Sequence, residues 1–358
     1  MRMSPSRRVA RFVATAVATF GLVAAGALPA QAHSGNDDPR LRVMTQNLYL
    51  GSSLDPAITA TTPTEFVVGV TTIWQTVQYT NFPARAAAIA DEIKAKGPDL
   101  IGLQEVSRWT PVGPGAPSGL DFLAILQGEL ASRGLSYSVA GVSDNASIGP
   151  VPIICNFNTG ALCTWGLLFQ DRDVILVNSA RAGLHTWGTQ SGRYTAQTVL
   201  TTPVGPLSFD RGWVFVQGRL WGEHFRFVTT HLETEDSPAV QQAQGQELLA
   251  GPARAKGTVI VVGDFNSAAD GSQTTTYASL TKKFHDAWKV NGHKPGYSCC
   301  QNGTLTNPTS QLATRIDLVL LRGAKARSAV LVGTTPFEAA PPFWPSDHAG
   351  LVATLILD

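Results

Sequence analysis

The sequence predicts a mixed α/β fold, and three patterns lead to that prediction. Short apolar runs of strand length recur along the chain, and several of them end in polar residues. Segments in which apolar residues have helical spacing lie between some of these runs. Two of the runs are separated by only a short turn, as in a β-hairpin. Because helix-linked strands and a hairpin occur together, we expect mixed sheets and not a pure βαβ repeat.

Eight apolar runs are predicted to be strands. The clearest is the run from Val259 to Val262, because every residue in it is β-branched and glycines bound it on both sides. The runs at 213–220 and 225–232 flank a four-residue turn and are predicted to pair as a hairpin. The predicted strands span residues 41–48, 99–106, 173–178, 213–220, 225–232, 258–264, 315–321 and 350–356.

Three helices are predicted, beginning at Pro83, at Ser118 and near Pro238. In the first, apolar residues fall at positions i, i+3, i+4 and i+7, and Gly97 follows its end. In the second, Ser118 is the expected cap and Gly134 stops the helix.

The first 32 residues are predicted to be a secretory signal peptide. Four arginines precede an uncharged stretch at 12–28, and residues 30–32 (Ala-Gln-Ala) have the form of a cleavage site. A membrane anchor is disfavoured, because this stretch is shorter than the roughly 20 residues that span a bilayer. The pair Arg7-Arg8 leaves twin-arginine export open.

Without this leader the formal net charge changes from +1 to −3, so the mature protein is slightly acidic. The sequence has no Lys/Arg cluster, which argues against a dedicated tight binder of nucleic acid, although a secreted nuclease needs only local charge. No later stretch is long and apolar enough to span a membrane, and no protein partner is implied. Because polar islands are spread from end to end, residues 33–358 are predicted to form one catalytic domain.

The four cysteines of an exported chain predict disulfides. Cys155 and Cys163 flank a turn-rich segment, which favours local pairing and leaves Cys299 and Cys300 as a vicinal pair. Connectivities that join these two pairs remain open. A zinc site is not indicated, because no histidine has suitable spacing.

The candidate site is carried by polar residues at the ends of apolar runs. A carboxylate, amide or imidazole at the end of a buried strand is costly unless it is paired or liganded, so several such ends suggest one site. The polar islands are Thr45-Gln46-Asn47, Gln104-Glu105, Thr229-Thr230-His231, Gly263-Asp264-Phe265-Asn266, Arg315-Ile316-Asp317 and Ser346-Asp347-His348.

The order of these islands resembles that of the endonuclease/exonuclease/phosphatase superfamily, which includes DNase I-like nucleases, inositol-phosphate phosphatases and bacterial sphingomyelinases. The resemblance runs from about residue 42 to residue 356. It implies a four-layer α/β/β/α sandwich, in which two mixed β-sheets pack face to face with helices outside and the chemistry lies at one edge. Within that fold, residues 52–81 and 141–166 look like insertions.

Glu105 is predicted to be a metal ligand, because it is a lone carboxylate at the end of an apolar run. The resemblance implies that Asn47 helps at the metal or the phosphate. Asp347 is expected to bind metal or to organise its loop. Hard oxygen donors favour Mg²⁺, with Ca²⁺ or Mn²⁺ as alternatives.

His348 is predicted to be the general base, and by resemblance it pairs with Asp317. His231 resembles the family's second histidine, which donates to a non-bridging phosphoryl oxygen.

Asp264 and Asn266 resemble the pair that assists the leaving group or orients water and holds the phosphoryl oxygens. Arg211, which precedes a glycine, resembles a basic residue found near phosphate in some members.

The sequence therefore predicts a secreted, divalent-metal-dependent phosphodiesterase. A phospholipid or sphingomyelin headgroup ester is slightly favoured as substrate, because export, mild acidity and the missing basic cluster weigh against nucleic acid. A non-specific extracellular endonuclease acting on DNA or RNA is the alternative enzyme. A catalytically silent binding module is disfavoured, since Glu105, Asp264 and His348 are all present.

Overall fold

The structure is a computed structural model that describes residues 40–357, and the predicted leader, residues 1–32, lies outside them. The strands are β1 (Arg40–Asn47), β2 (Leu100–Gln104), β3 (Arg108–Val112), β4 (Leu120–Asp121), β5 (Tyr137–Asn156), β6 (Ala161–Asn178), β7 (Leu184–Arg193), β8 (Val199–Thr202), β9 (Gly205–Ser208), β10 (Gly212–Leu220), β11 (Glu223–His231), β12 (Thr258–Asp264), β13 (His285–Asp286), β14 (Asp317–Arg322), β15 (Ala324–Val332), β16 (Glu338–Ala339), β17 (Pro342–Phe343) and β18 (Gly350–Leu357). The α-helices are α1 (Asp55–Ile58), α2 (Pro63–Tyr79), α3 (Phe82–Lys96), α4 (Phe122–Ser132), α5 (Pro238–Ala250) and α6 (Thr276–Thr281), and a 3₁₀ helix spans Ala287–Asn291.

Most strands belong to two large mixed sheets. The first sheet has the order β15-β18-β1-β2-β6-β3-β4, with β5 also paired to β6, and the second has the order β13-β14-β12-β11-β10-β7. Strands β1 and β2 run parallel, as do β11 and β12. The predicted hairpin at 213–220 and 225–232 is confirmed as the antiparallel pair β10–β11.

Strand β12 illustrates why the sheets stack as inner layers. Ile260 and Val262 pack with residues of the first sheet, whereas Val259 and Val261 pack on the opposite face, toward the helices. A strand that is buried on both faces reads as an unbroken apolar run, as this one does.

Helices cover the outer faces of both sheets. Residues of α2, α3 and α4 share one apolar core with the first sheet, and residues of α6 share another with the second. The layers therefore follow the order helix, sheet, sheet, helix, which confirms the predicted four-layer α/β/β/α sandwich.

The prediction that Ser118 caps the second helix is wrong. Leu120 and Asp121 first form a short strand with β3, and the helix begins only at Phe122. The Asp121 side chain is the cap, since it accepts hydrogen bonds from the backbone N–H groups of Leu123 and Ala124.

The two predicted insertions have regular structure. Residues 52–81 hold α1 and the long helix α2, which starts with a capping box between Thr62 and Glu65. Residues 141–166 belong to a long ribbon formed by β5 and β6. The predicted Cys155–Cys163 disulfide is present near the tip of this ribbon, and the structure also joins Cys299 to Cys300.

Between residues 40 and 357, none of the helices combines the length and apolar character that crossing a bilayer requires.

Candidate active site

The strand directions bring the predicted site residues to one edge of the sandwich. Asn47, His231 and Asp264 are the last residues of β1, β11 and β12, and Glu105 directly follows β2. Asp317 begins β14 and lies opposite Asp264 in the antiparallel register. Because β1 and β2 are parallel, and so are β11 and β12, these strand ends meet at the same edge.

A line of buried hydrogen bonds joins the two sheets beneath this edge. The Thr45 hydroxyl donates to the Gln104 side-chain oxygen at 3.1 Å, and the Gln104 amide donates to the Thr229 hydroxyl at 2.8 Å. All three residues are fully buried. The polar islands before Asn47, Glu105 and His231 therefore fix the sheets in register where the site residues emerge.

Asn47 links two carboxylates of the site. Its Nδ2 donates to Glu105 Oε1 at 3.0 Å and to Asp264 Oδ2 at 3.1 Å. Its Oδ1 accepts from the Tyr49 N–H at 2.8 Å, and Glu105 Oε2 accepts from the Leu50 N–H at 2.6 Å. The loop after β1 thus sets the direction of Glu105, whose backbone φ of +53° lies in the left-handed region.

Asp317 and His348 form the predicted pair. Asp317 Oδ2 and His348 Nδ1 are 2.8 Å apart, and both side chains are buried. Burial lowers the pKa of His348, but the carboxylates of Asp317 and Asp347 outweigh that effect and hold it well above its ordinary value. Ser298 accepts the backbone N–H of Asp317 at 3.2 Å and so fixes the start of β14. Its Nε2 lies 3.8 Å from Asp264 Oδ2, and the residue lines the cleft.

His231 has the opposite surroundings. Arg211 Nη1 lies 3.0 Å from Nδ1 and 3.2 Å from Nε2 of the ring, and the Asn266 amide nitrogen lies 3.1 Å from Nε2. Burial and the Arg211 charge lower the pKa of His231 well below its ordinary value. Since guanidinium and amide N–H groups can only donate, they also favour a neutral ring.

Asp264 and Asn266 form a tight turn after β12. Asp264 Oδ1 accepts the Asn266 backbone N–H at 2.9 Å, and Asn266 has a φ of +47°. The Asn266 amide also donates to the Leu232 carbonyl at 3.0 Å. Gln241 on α5 donates to the Asn266 carbonyl at 2.6 Å, so the helix holds the turn from outside.

Asp347 adjoins this network with fewer direct bonds. Its nearest polar side-chain contact is the Ser346 hydroxyl at 3.4 Å, and Ser346 also donates to the Asn47 carbonyl at 2.8 Å. The pKa of Asp347 is raised to about 7. Burial is the main cause, and the negative charge of Glu105 raises it further.

The site edge opens into a cleft with about 720 Å³ of empty volume, part of it open to solvent. Its wall includes Glu105, Arg211, His231 and His348, while Asn47 and Asp317 lie buried beneath it. Cys300 closes one side, with its sulfur 3.9 Å from His348 Nε2.

Sequence reasoning missed Arg85 on α3. The side chain is fully buried and donates to four backbone carbonyls: Thr80 at 2.9 Å, Leu48 at 2.6 Å, Tyr49 at 3.1 Å and Pro345 at 3.2 Å. Burial lowers its pKa to about 10, so it remains a cation. It ties the loop that follows Asn47 to the segment that precedes the last polar island. An arginine inside an alanine-rich apolar helix face was the available signal.

Two further missed residues, Asp171 and Asp173, lie buried on β6 behind Arg211. Asn145 donates to Asp171 at 3.3 Å, and burial raises the pKa of Asp171 to about 6 and that of Asp173 well above its ordinary value. Although burial lowers the pKa of Arg211, Glu233 and Asp171 raise it above its usual range. Arg211 therefore remains protonated. The sequence signal that could have found Asp171 and Asp173 was their position at the start of an apolar run.

Comparisons with known proteins agree with this geometry. A sequence model described as the Endonuclease/Exonuclease/phosphatase family matches residues 44–348. A solved endonuclease/exonuclease/phosphatase family protein from Bacteroides thetaiotaomicron is 14% identical with a TM-score of 0.57, and the match covers 90% of this chain and 96% of that one. No curated protein sequence matches significantly.

Two other solved structures share the fold. The mannosyl-6-phosphatase of B. thetaiotaomicron VPI-5482 is 14% identical with a TM-score of 0.54, over 88% of this chain and 100% of that one. A humanized TDP2 of D. rerio is 16% identical with a TM-score of 0.53, over 88% and 99%. At such identities the likeness concerns the fold alone.

Proposed function

We propose that this chain, which belongs to the endonuclease/exonuclease/phosphatase family, is a divalent-metal-dependent phosphodiesterase that hydrolyses a phospholipid-type ester. As a member of that family it is a hydrolase of phosphoester bonds. The observation that carries the proposal is the position of two histidines around Asp264. Nε2 of His231 and Nε2 of His348 lie 3.5 Å and 3.8 Å from the same Asp264 oxygen. One imidazole has a carboxylate partner and the other has cationic and amide donors, which suits them to different tasks.

We assign His348 as the group that takes the proton from the attacking water. Asp317 holds Nδ1, so Nε2 is the atom left to accept. Acceptance requires a neutral ring, whereas the nearby carboxylates keep the pKa of His348 high. A divalent cation at Glu105 and Asp347 would supply charge that lowers this pKa and polarises a phosphoryl oxygen.

The donor set suits such a cation. Glu105 lines the cleft, Asp347 lies close enough for Glu105 to raise its pKa, and both offer the hard oxygens that Mg²⁺ prefers. Ligand atoms of Asp264, Asp317 and His348 also lie within 4.8 Å of one another. However, Asp317 Oδ2 and His348 Nδ1 are already hydrogen-bonded to each other. Family members are generally metal dependent, and we propose Mg²⁺ as the ion here.

Arg211, His231 and Asn266 are assigned to the phosphoryl oxygens. Arg211 Nη1 and Asn266 Nδ2 lie 3.0 Å and 3.1 Å from the ring nitrogens of His231, and all three residues line the cleft. A neutral His231 leaves Arg211 as the local cation, and a guanidinium suits the paired oxygens of a phosphoryl group. Asp264 fixes Asn266 through its backbone N–H and so holds this side of the site in place.

A phospholipid-type ester, with sphingomyelin as one candidate, is preferred over a polynucleotide. The predicted mature chain carries a formal charge of −3, and its sequence lacks the basic cluster that usually tracks a nucleic-acid backbone.

An activity screen tests the proposed function. The purified mature protein is assayed with Mg²⁺ and with chelator on sphingomyelin, glycerophospholipids, inositol phosphates, plasmid DNA and RNA. The proposal predicts lipid-ester hydrolysis that chelator abolishes. Hydrolysis of plasmid DNA or RNA without lipid hydrolysis would replace it with an extracellular nuclease, and undiminished activity in chelator would reject the metal.

Export is proposed separately, on the leader predicted at residues 1–32. The secreted protein should begin at His33, as read by N-terminal sequencing. If the cysteines pair as the sequence favours, native secreted material should react with no thiol reagent until reductant is added. An intact leader on the secreted protein, or two reactive thiols, would contradict this part of the proposal.

A further inference from the structure

An apolar cavity lies beside the proposed active site. Its volume is about 50 Å³, the total empty space around it is about 450 Å³ and includes open solvent, and every side chain that lines it is apolar. Buried residues such as Phe66, Ile73 and Trp109 form its floor. We call this space the tail cavity. It is lined by Leu54, Ala57, Ile58, Phe66, Val70, Ile73, Trp109, Ile148, Val151, Leu167, Phe169, Leu207 and Phe209.

The tail cavity adjoins the catalytic cleft through shared wall residues. Leu54, Phe169 and Phe209 also line a second space, of about 60 Å³, whose wall includes Glu105 and Arg211. Those last two residues belong to the cleft wall as well. Leu54 and Phe209, which lie between the two spaces, are only half-buried.

Two chain segments run from the tail cavity into the site. On β6, Leu167 and Phe169 line the cavity, and Asp171 follows two residues later beside Arg211. At the end of β9, Leu207 and then Phe209 line the cavity, and Arg211 follows at the same spacing. Along each segment, the apolar wall therefore gives way within two residues to a charged side chain.

The walls of the cavity are held in place from outside. Thr71 on α2 accepts the Ile154 N–H of the β5–β6 ribbon at 3.1 Å, and the Cys155–Cys163 disulfide crosslinks that ribbon close by. The Trp109 indole donates to the Leu50 carbonyl at 2.9 Å, and the Leu50 N–H donates to Glu105. The floor of the cavity is therefore tied to the loop that directs Glu105.

We propose that the tail cavity binds the apolar chain of the substrate while its phosphoester lies at Glu105 and Arg211. The occupant is a phosphodiester that carries a linear hydrocarbon chain, taken up as a single molecule. This inference rests on the proposed function and specifies its substrate. The position of the tail cavity beside the cleft argues for an occupant that is apolar at one end and phosphorylated at the other, since one end meets apolar side chains and the other meets Arg211 and the proposed metal ligand Glu105.

A chain-length series tests this proposal. Alkyl p-nitrophenyl phosphodiesters with ethyl, butyl, hexyl and octyl chains are assayed with Mg²⁺ below their micelle-forming concentrations. In each, water adds to phosphorus, the bond to the nitrophenyl oxygen breaks, and alkyl phosphate and p-nitrophenol are released. Burial of one methylene can raise kcat/KM by up to about fourfold, so we expect the octyl ester to exceed the ethyl ester by at least about 50-fold.

Variants of the cavity lining test whether the dependence on chain length arises in the tail cavity. Leu207→Asp puts a charge at the half-buried rim and should flatten the dependence on chain length, and Leu54→Trp should do so by narrowing the passage. Leu162→Asp is the matched control, because Leu162 is 56% exposed and lies outside the cavity lining. Circular dichroism and thermal melts verify that each variant is folded.

Binding measurements distinguish a failure of the tail-cavity proposal from a failure of the proposed phosphodiesterase activity. Octyl phosphate and ethyl phosphate are titrated into the parent and Leu207→Asp proteins by calorimetry. Tighter binding of octyl phosphate that Leu207→Asp removes supports the tail cavity even if no ester is hydrolysed, and then only the proposed function fails. Equal kcat/KM across the series together with equal binding of both phosphates would overturn the tail cavity and leave the phosphodiesterase standing.

Discussion

The two histidines of the site lie near the same Asp264 oxygen, and yet their pKa values shift in opposite directions. His348 pairs with the carboxylate of Asp317, and its pKa is raised well above the ordinary value. His231 is surrounded by Arg211 and Asn266, and its pKa is lowered well below that value. Burial acts in the same direction on both rings, so the difference comes from the charge of the neighbouring side chains.

The comparison shows what a histidine in a motif can and cannot tell. The residue type gives the capacity to move a proton near neutral pH, but its partners decide which protonation state is present. A site whose two imidazoles have oppositely shifted pKa values can divide proton transfer from phosphate binding. The predictions below test that division, from the largest expected effect to the smallest.

Removal of the proton acceptor should have the largest effect. His348→Ala is expected to lower kcat by about 10²- to 10⁴-fold with little change in substrate affinity, because the base acts as water attacks. Asp317→Asn should lose less. The double variant should be no slower than His348→Ala alone, since Asp317 works through the ring. Steady-state kinetics of the four proteins checks this, and penalties that multiply would show that the two residues act independently.

Loss of the proposed metal ligand Glu105 should remove the cation that is proposed to lower the pKa of His348. Glu105→Gln nearly preserves shape and removes a negative charge, so we expect a folded protein whose rate no longer responds to Mg²⁺. The measurement is a Mg²⁺ titration of activity, with Gln273→Glu as a control that adds a carboxylate elsewhere in the cleft wall. A Glu105→Gln titration curve that overlays the parent curve would remove Glu105 from the metal.

The role of Arg211 in lowering the pKa of His231 can be tested by replacing Arg211. Arg211→Gln keeps a donor and removes the cation, so we expect a loss of about 10- to 100-fold in kcat/KM and a rise in the pKa of His231. Histidine side-chain NMR over a pH titration reports both rings in one experiment. The resonances of His348 should titrate as in the parent protein, and an unchanged His231 would show that Arg211 does not control its charge.

The smallest expected effect is a change of a few degrees in melting temperature. The low pKa of His231 means that stability is lost as pH falls below about 6.5, where the unfolded ring binds a proton. The high pKa of His348 contributes stability that is complete below about 6.5 and is lost as pH rises toward the folded value. In chelator, His231→Gln should therefore flatten the acid side of a plot of melting temperature against pH, and His348→Gln the alkaline side. The same change on both sides for either variant would contradict the assignment.

The apolar runs predicted mixed sheets, and the order of the polar islands predicted the sandwich and the residues at its edge through the family resemblance that this order carries. Asn47, Asp264 and Asp317 could be found in this way, and so could the contact between Asp317 and His348. The hydrogen bond from Asn47 to Asp264 could not be found, because it joins residues 217 positions apart. Pairings of that kind depend on which strands become neighbours.

Arg85 and the tail cavity escaped prediction for different reasons. Arg85 sits in a helix whose apolar spacing already explained its neighbours, and its place on that apolar face did not indicate that its partners are backbone carbonyls. The tail cavity is built from segments taken as insertions, and helix α2 within them was not predicted although Thr62 and Glu65 form a capping box. An apolar lining and an apolar core have the same composition, and only the packing of the elements distinguishes them.

The position of Arg85 also bears on the order in which the site forms during folding. Its guanidinium bonds the Leu48 carbonyl, 37 positions earlier in the chain, and the Pro345 carbonyl, 260 positions later. A buried cation that lacks one of its acceptors is costly, so we expect α3 to pack fully onto the first sheet only when the last segment of the chain is in place. Contacts of such long sequence separation form late, because the intervening loop must close first. The loops that carry Asn47 and His348 are therefore expected to become ordered in the same cooperative step as the core, and a nascent chain that ends before Pro345 should not hold the Asn47 loop in place.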